Sequence, residues 1–139
     1  MKNIYLFDLD GTLTESAQII SDCMITQLKK IKERGHEIGI VGGGDFYKIL
    51  FQIDNKIFFD HIFSECGSVY YRYNNNLHDY ELIYIRNITQ HIEYPNINSL
   101  IKKTLDFLSQ VDYRLTGNFI DRRNGLIYIS LIGMQATNS

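Results

Sequence analysis

Proline, cysteine and long apolar runs are scarce in this sequence of 139 residues. With one proline, Pro95, and no repeated or low-complexity tract, the chain has no obvious linker, so a domain boundary must show as a change in residue pattern. No apolar run approaches the ~20 residues of a membrane-spanning helix, and we expect no membrane partner. The two cysteines, Cys23 and Cys66, make no metal-ligand spacing, and we expect them to be buried free thiols.

The sequence also lacks an excess of charge of either sign. Lys and Arg total 14 and Asp and Glu total 16, which gives a formal net charge of −2. Without a basic surface there is no broad attraction to a polyanion, so we expect no nucleic-acid partner. An apolar strand begins within a few residues of Met1, which leaves no room for a signal or transit peptide and favours a cytoplasmic location.

Strand and helix patterns alternate in the first part of the chain. Between the first two strands, Ser21 is a plausible N-cap of an amphipathic helix that Gly35 ends, and a second helix is predicted at residues 46–51. Strand, helix and strand at this spacing predict a parallel sheet with right-handed crossovers. The predicted strands are residues 4–7, 38–41, 61–65, 69–73 and 82–85, the last two forming a hairpin.

The pattern changes in the last third of the chain. An amphipathic helix is predicted from about residue 98 to 111, and strands at 118–122 and 126–132 are joined by an Asn-Gly turn. A helix followed by an antiparallel hairpin is a different architecture from the parallel unit before it. We therefore expect a core domain at residues 1–81 and an inserted cap domain at residues 82–139.

The string DLDGT at residues 8–12 follows the first apolar strand directly. Loops at the carboxyl edge of a parallel sheet form ligand crevices, and this string delivers two carboxylates, Asp8 and Asp10, to that edge. Two like charges so close together favour a compensating cation, and Mg²⁺ prefers such oxygen ligands. One carboxylate can then attack phosphorus while the other moves protons. A plain turn after a strand would need only Asp-Gly, so the longer string is the more specific signal.

A second glycine-rich loop, residues 42–44, follows the second strand and precedes a helix. Glycines in this position let backbone amides approach an anion, so Gly43 and Gly44 are candidate phosphate-binding residues. A tight turn would explain the triplet equally well.

The DLDGT string resembles motif one of the haloacid-dehalogenase (HAD) superfamily. Residues 38–46 (IGIVGGGDF), 63–67 (FSECG) and 118–133 (NFIDRRNGLIYISLIG) resemble the eukaryotic-type phosphomannomutases, over the first part of that family's length. The resemblance implies an α/β fold, with an incomplete HAD-like Rossmannoid parallel sheet and a partial α+β cap domain. It also implies a truncated chain, without the later lysine and acidic residues of the superfamily's site.

The resemblance further implies an isomerase of sugar phosphates. It would interconvert mannose 6-phosphate and mannose 1-phosphate, for GDP-mannose supply, with Mg²⁺ as cofactor and a hexose 1,6-bisphosphate as activator. Asp8 would be the nucleophile that becomes an aspartyl-phosphate, Asp10 the general acid and base, and both would bind Mg²⁺. Arg123 would hold the distal phosphate of the substrate, and Phe119 lies in the stretch that resembles the family's homodimer contact.

The sequence departs from the family pattern at three phosphate-binding positions. Gly44 stands where the family usually has a hydroxyl residue, and Ala17 and Met134 stand where it has arginines. Two alternatives therefore remain open beside the mutase. One is a Mg²⁺-dependent HAD-type sugar phosphatase, which needs less control of a second phosphate, and the other is a non-catalytic remnant or partner-binding fragment.

Overall fold

A computed structural model describes residues 1–91, 93–134 and 136 and divides the chain into two compact units, Met1–Arg86 and Asn87–Ser139. The first unit contains a five-stranded sheet in the order β1-β2-β3-β4-β5. Its strands are β1 (Ile4–Phe7), β2 (Glu37–Val41), β3 (His61–Ser64), β4 (Val69–Asn74) and β5 (Asp79–Ile85). β1, β2 and β3 pair in parallel, whereas β4 and β5 are antiparallel, so the predicted combination of parallel sheet and hairpin is confirmed.

Two helices connect the parallel strands, α1 (Asp22–Glu33) and α2 (Phe46–Ile53). The Ser21 hydroxyl accepts a hydrogen bond from the Met24 amide at 3.3 Å, which caps α1 as the sequence predicts. The carboxylate of Asp45 caps α2 by accepting from the Lys48 amide at 2.8 Å. Both helices therefore begin at side chains that satisfy an otherwise unpaired amide.

The hydrophobic core lies between these helices and one face of the sheet. Because side chains alternate along a strand, this face carries Ile38, Ile40 and Ile62, each fully buried. The helices contribute Ile25 and Leu28 from α1 and Ile49 and Ile53 from α2.

On the opposite face of the sheet, Leu6 of β1, Gly39 of β2 and His61 of β3 are neighbours in register. A Cβ at Gly39 would lie 2.6 Å from Leu6 Cδ2, so the glycine gives the leucine side chain its space. At the start of β2 and β3, His61 Nε2 lies 3.1 Å from a Glu37 carboxylate oxygen. His61 is buried, as expected of a structural histidine.

The second unit contains α3 (Tyr94–Gln110) and an antiparallel pair, β6 (Asn118–Arg122) and β7 (Ile127–Met134). A helix followed by a hairpin is what the sequence predicts. α3 begins at Tyr94, earlier than expected, because Pro95 occupies its first turn, where proline is preferred rather than disruptive.

The division into a core domain at residues 1–81 and a cap domain at residues 82–139 stays a prediction. In the structure β5 continues to Ile85 in its pairing with β4, and the first compact unit ends at Arg86. Assignment of the second unit as a cap domain stays a prediction.

Within the described residues, no helix is long and apolar enough to cross a membrane.

The prediction that the two cysteines are buried is wrong. Cys23 and Cys66 are both exposed free thiols. Cys23 lies on the side of α1 opposite Ile25 and Leu28, as the helical period of 3.6 residues requires. Cys66 lies in a 3₁₀ turn with φ of 56°.

Candidate active site

The loop that carries the two aspartates is a tight turn anchored in the core. The Leu9 carbonyl accepts hydrogen bonds from the amides of Thr12, Leu13 and Thr14, at 3.2, 3.0 and 3.0 Å. Leu9 and Leu13 are both buried, and Gly11 turns the chain with a φ of 83°. β1 ends at Phe7, so strand alternation does not govern the side-chain direction of Asp10.

Asp8 is the first residue after β1 and is exposed. Its Oδ1 lies 3.8 Å from the position that a Cβ at Gly42 would occupy, so the first strand's carboxylate and the glycine loop are brought together. Among residues 1–91, 93–134 and 136, no hydrogen-bond or ion-pair partner engages the Asp8 side chain. Its oxygens are therefore available to a ligand.

Asp10, by contrast, is held by three donors. Its Oδ1 accepts from the Ala17 amide and from Gln52 Nε2, each at 2.8 Å, and its Oδ2 lies 3.0 Å from Lys48 Nζ. The Ala17 amide, the Gln52 amide and the Lys48 ammonium together hold the pKa of Asp10 at about 2, although partial burial opposes them. Asp10 is consequently ionised at neutral pH.

Gln52 joins the aspartate loop to α2 from inside the protein. Its side chain is only 1% exposed, and Nε2 also approaches Thr14 Oγ1 and the Gln18 carbonyl at 3.3 Å each. Its Oε1 has no hydrogen-bond partner within the described parts of the chain. Lys48 and Gln52 are the site residues that sequence reasoning missed. A signal existed for Gln52, since it interrupts the apolar face of α2 just before the buried Ile53.

The glycine loop is tied to the turn that follows β3. The Gly42 carbonyl accepts from the Cys66 amide at 2.9 Å, and the Gly44 carbonyl accepts from the Glu65 amide at 3.0 Å. A Cβ at Gly43 would lie 3.7 Å from Cys66 Sγ. These hydrogen bonds hold the loop in place beside Asp8. The phosphate-binding role of Gly43 and Gly44 stays a prediction.

The absence of a side chain at Gly44 leaves space for the Lys48 side chain. A Cβ at this position would lie 3.3 Å from Lys48 Cδ, closer than most real contacts. The stem of Lys48 thus passes over the glycine on its way to Asp10. A hydroxyl side chain at position 44 would require that flexible stem to shift by a few tenths of an ångström.

The donors present fit only a weak Mg²⁺ site. In the described part of the chain, no group of three or more His, Cys, Asp or Glu side chains could hold a metal. The Asp8 carboxylate is available, but the Asp10 carboxylate is already engaged by Lys48, which leaves Asp10 its main-chain carbonyl. Mg²⁺ is commonly bound through one or two carboxylates and keeps several waters, so these two oxygens match its minimum requirement.

A surface depression of about 510 Å³ lies beside the aspartate loop. Its lining residues are 11–15, Gln18, Ile19 and Ser21. None of them is basic and one is Glu15, so this depression by itself offers a phosphate no opposite charge.

Arg123 lies in the second unit, directly after β6. Its Nε donates to Asp121 Oδ2 at 2.7 Å, and its amide donates to the Leu126 carbonyl at 3.0 Å in the turn between β6 and β7. Phe119 is half-buried in β6. The phosphate-binding role of Arg123 and the dimer role of Phe119 stay predictions.

The family model described as "Eukaryotic phosphomannomutase" matches residues 24–139 of this chain. Human phosphomannomutase 1 is 35% identical over an alignment of 137 residues that covers 95% of this chain and 50% of that protein. Phosphomannomutase 2 of Dictyostelium discoideum is 33% identical over 133 residues, covering 94% of this chain and 51% of that protein. The chain therefore spans about half the length of the curated relatives it matches.

Solved structures establish the fold. A haloacid dehalogenase-like hydrolase from B. subtilis superposes with a TM-score of 0.58 at 21% identity, over 74% of this chain and 34% of that one. A member of the HAD superfamily phosphatases from Bacteroides thetaiotaomicron superposes with a TM-score of 0.56 at 22% identity, over 77% and 36%. The predicted HAD-like α/β fold is confirmed, over about a third of each of these longer chains.

Proposed function

Since this chain belongs to the eukaryotic phosphomannomutase family, we propose that it carries the phosphoryl-accepting part of a sugar-phosphate mutase. The reaction would be the interconversion of mannose 6-phosphate and mannose 1-phosphate, which supplies GDP-mannose synthesis. The observation that supports this most directly is Asp8, an exposed carboxylate with no described partner at the carboxyl end of a parallel strand, beside the glycine loop.

The proposed mechanism begins with a phosphoryl group on Asp8. A sugar hydroxyl attacks its phosphorus, the bond to the Asp8 oxygen breaks, and Asp10 accepts the hydroxyl proton. A carboxylate with a pKa of about 2 is ionised beforehand but is a weak base, so this role requires the substrate to displace one of the donors that hold Asp10. After the resulting hexose 1,6-bisphosphate reorients, Asp8 attacks the other phosphate. The departing sugar oxygen then takes the proton from Asp10, which returns the site to its starting state.

Further residues would hold the substrate. The amides of Gly43 and Gly44 would face the reacting phosphate, and Arg123 would bind the distal one through its planar donor fork. Bound by the Asp8 carboxylate and the Asp10 carbonyl, Mg²⁺ would supply charge neutralisation during phosphoryl transfer.

Transient phosphorylation of Asp8 is the test. The purified chain is incubated with Mg²⁺ and a labelled hexose 1,6-bisphosphate, and acid-stable, hydroxylamine-labile label is measured. We expect labelling that Asp8→Asn abolishes, because the amide cannot accept the phosphoryl group. Asp22→Asn is the matched control, since Asp22 is an exposed aspartate of α1. Equal labelling of both variants, or none in a folded sample, would contradict the proposal.

A Mg²⁺-dependent sugar phosphatase is the second candidate. Ala17 and Met134 stand where the resembling mutases have arginines, and the depression beside the aspartate loop has no basic lining residue. Hydrolysis needs less control of a second phosphate, so these features favour it. Release of inorganic phosphate from mannose 6-phosphate without any mannose 1-phosphate would select this candidate over the mutase.

A non-catalytic, partner-binding fragment is the third candidate. It is supported by the small number of metal donors, since in the described part of the chain no group of three or more His, Cys, Asp or Glu side chains could hold a metal. Labelling of Asp8 in the isolated chain would exclude it.

A further inference from the structure

A second cleft of the first unit lies at the end of the sheet opposite to Asp8. Its volume is about 410 Å³, which suits a small ligand. Asp8 follows the carboxyl end of β1, whereas residues 56–58, which line this cleft, lead into the amino end of β3, a strand that runs in the same direction. The cleft is therefore separate from the candidate active site. We call it the lysine cleft and define it by Lys29, Lys32, Glu33, Lys56, Phe58 and Tyr73.

Two stacked aromatic rings line the lysine cleft. The ring centroids of Phe58 and Tyr73 lie 4.6 Å apart, at an interplanar angle of 21°. The pair is held in place by the backbone, since the Tyr73 amide donates to the Asp60 carbonyl at 3.1 Å. Phe58 is nevertheless 43% exposed, although its neighbours Ile57 and Phe59 are buried. An aromatic ring that is partly in water beside a pocket can stack on a flat ring of a ligand.

Three lysines and one carboxylate, Glu33, line the same cleft. The protein itself neutralises Lys32, because its ammonium group lies 2.9 Å from Asp60 Oδ2. Lys32 Nζ also donates to the Phe58 carbonyl at 2.9 Å. Lys32 therefore holds the Phe58 segment against α1 and is not free to bind a ligand.

Lys29 and Lys56 supply the charge that remains. Within residues 1–91, 93–134 and 136, Lys29 has no hydrogen-bond or ion-pair partner. Lys56 lies 3.3 Å from Asp22 and 3.8 Å from Asp54, but these two carboxylate side chains are 89% and 51% exposed. Exposed ion pairs of this kind are weak, so a bound anion can compete with them. Because the whole chain has a net charge of −2, the two ammonium groups are a local feature and not part of a general basic surface.

We propose that the lysine cleft binds a nucleoside diphosphate, which combines a flat ring with two phosphate groups. The base would stack on the exposed ring of Phe58, and the phosphates would lie against the ammonium groups of Lys29 and Lys56. An inorganic anion would leave the aromatic pair in water, and an uncharged nucleoside would leave both ammonium groups unpaired. This inference goes beyond the proposed mutase function, because it uses no residue of the candidate active site.

Binding of ADP is the test. The whole chain is titrated with ADP in the absence of Mg²⁺, and NMR follows the backbone amides. We expect saturable shifts at residues 56–58 and 73–75, little change at residues 8–12, and weaker binding of both adenosine and pyrophosphate. Phe58→Ala should weaken ADP binding about tenfold or more, because it removes the stacking surface. Lys29→Glu should weaken it about three- to tenfold, because a repulsion replaces an attraction.

Each variant has a matched control. Phe51→Ala removes a phenylalanine of α2 that is 66% exposed, and Lys30→Glu makes the same charge change at a neighbouring position of α1 that does not line the cleft. Both controls should leave ADP affinity nearly unchanged, and thermal unfolding verifies that every variant is folded. Equal effects of Lys29→Glu and Lys30→Glu, or no saturable shift in the folded chain, would overturn the proposal.

Two further outcomes would also overturn it. Pyrophosphate that binds as tightly as ADP would assign the cleft to an anion without a ring. Shifts confined to residues 8–12 would place ADP at the aspartate loop instead. Because the titration needs neither Asp8 nor Mg²⁺, its result is independent of the Asp8 labelling experiment.

Discussion

At the residue scale, Asp10 is the most constrained group of the candidate site. Its three donors come from the aspartate loop and from two positions of α2. The Lys48 and Asp10 side chains are each more than a third exposed, so their ion pair contributes little to stability, about 1 kcal/mol or less. The main effect of the ion pair is that it favours the ionised form of Asp10, close to the proposed nucleophile Asp8.

Replacing the lysine tests this effect directly. Lys48→Met should raise the pKa of the Asp10 carboxyl above its present value of about 2, because one hydrogen bond and one positive charge are lost. The pKa should stay below the ordinary 3.8, since the Ala17 and Gln52 donors remain. The measurement is a carbon-13 NMR titration of the carboxyl, with Lys30→Met, on the exposed side of α1, as the control.

Lys48→Met should also change how the free energy of unfolding depends on pH. A carboxyl with a lowered folded-state pKa contributes stability above its unfolded-state pKa, and the contribution is lost as pH falls through the folded value. For Asp10 this window runs from about pH 4 down to about pH 2. The loss of unfolding free energy across the window should be smaller in Lys48→Met than in the parent chain, and an equal loss would contradict the assigned cause.

The sequence predicts the two aspartates and the glycine loop of the site, but not the α2 side chains that contact Asp10. Asp8, Asp10 and the glycine loop lie in contiguous strings with a known chemical logic, and the structure places Asp8 beside Gly42. Lys48 and Gln52 belong to a different element, and only the packing of α2 against the aspartate loop brings them to Asp10. Such a contact between distant positions leaves no spacing pattern in the sequence, and the only signal is the polar Gln52 on the apolar face of α2.

At the element scale, a partly buried hydrogen bond joins β5 to the segment after α2. The Phe59 amide donates to the Tyr80 hydroxyl at 3.1 Å, and Phe59 is fully buried. Burial also raises the pKa of the Tyr80 hydroxyl, so the group stays protonated well beyond neutral pH. The Phe59 amide therefore has the same neutral hydroxyl as its acceptor throughout the neutral pH range.

Removing this hydroxyl should be costly. Tyr80→Phe leaves the Phe59 amide buried without its acceptor, and we expect the free energy of unfolding to fall by about 1 to 3 kcal/mol. Urea unfolding monitored by circular dichroism measures the change. Tyr47→Phe is the control, because Tyr47 is largely exposed on α2 and should lose almost nothing. Equal stability of the two variants would show that water replaces the lost partner.

Element types follow from the sequence more closely than element ends do. Among the described residues, the seven strands and three α-helices that the residue patterns predict are all present. The start of β5 at Asp79 is not predicted, because the polar Asp79 and Glu81 interrupt the apolar pattern although both pair with β4. Such backbone pairing depends on the neighbouring strand and not on the hydrophobic pattern.

At the scale of the whole molecule, the first unit consists of two layers. α1 and α2 supply one layer and the sheet supplies the second, with both helices on the face that carries Ile38, Ile40 and Ile62.

The exposed apolar side chains also affect the heat capacity of unfolding, which grows with the apolar area that unfolding newly exposes. Because Ile4, Leu6 and many other large apolar residues are already in water, calorimetry of the chain alone should give less than the usual ~12–15 cal/mol/K per residue. A value inside that range would contradict this expectation. A lower heat capacity of unfolding gives a flatter stability curve, so the free energy of unfolding should change little across moderate temperatures.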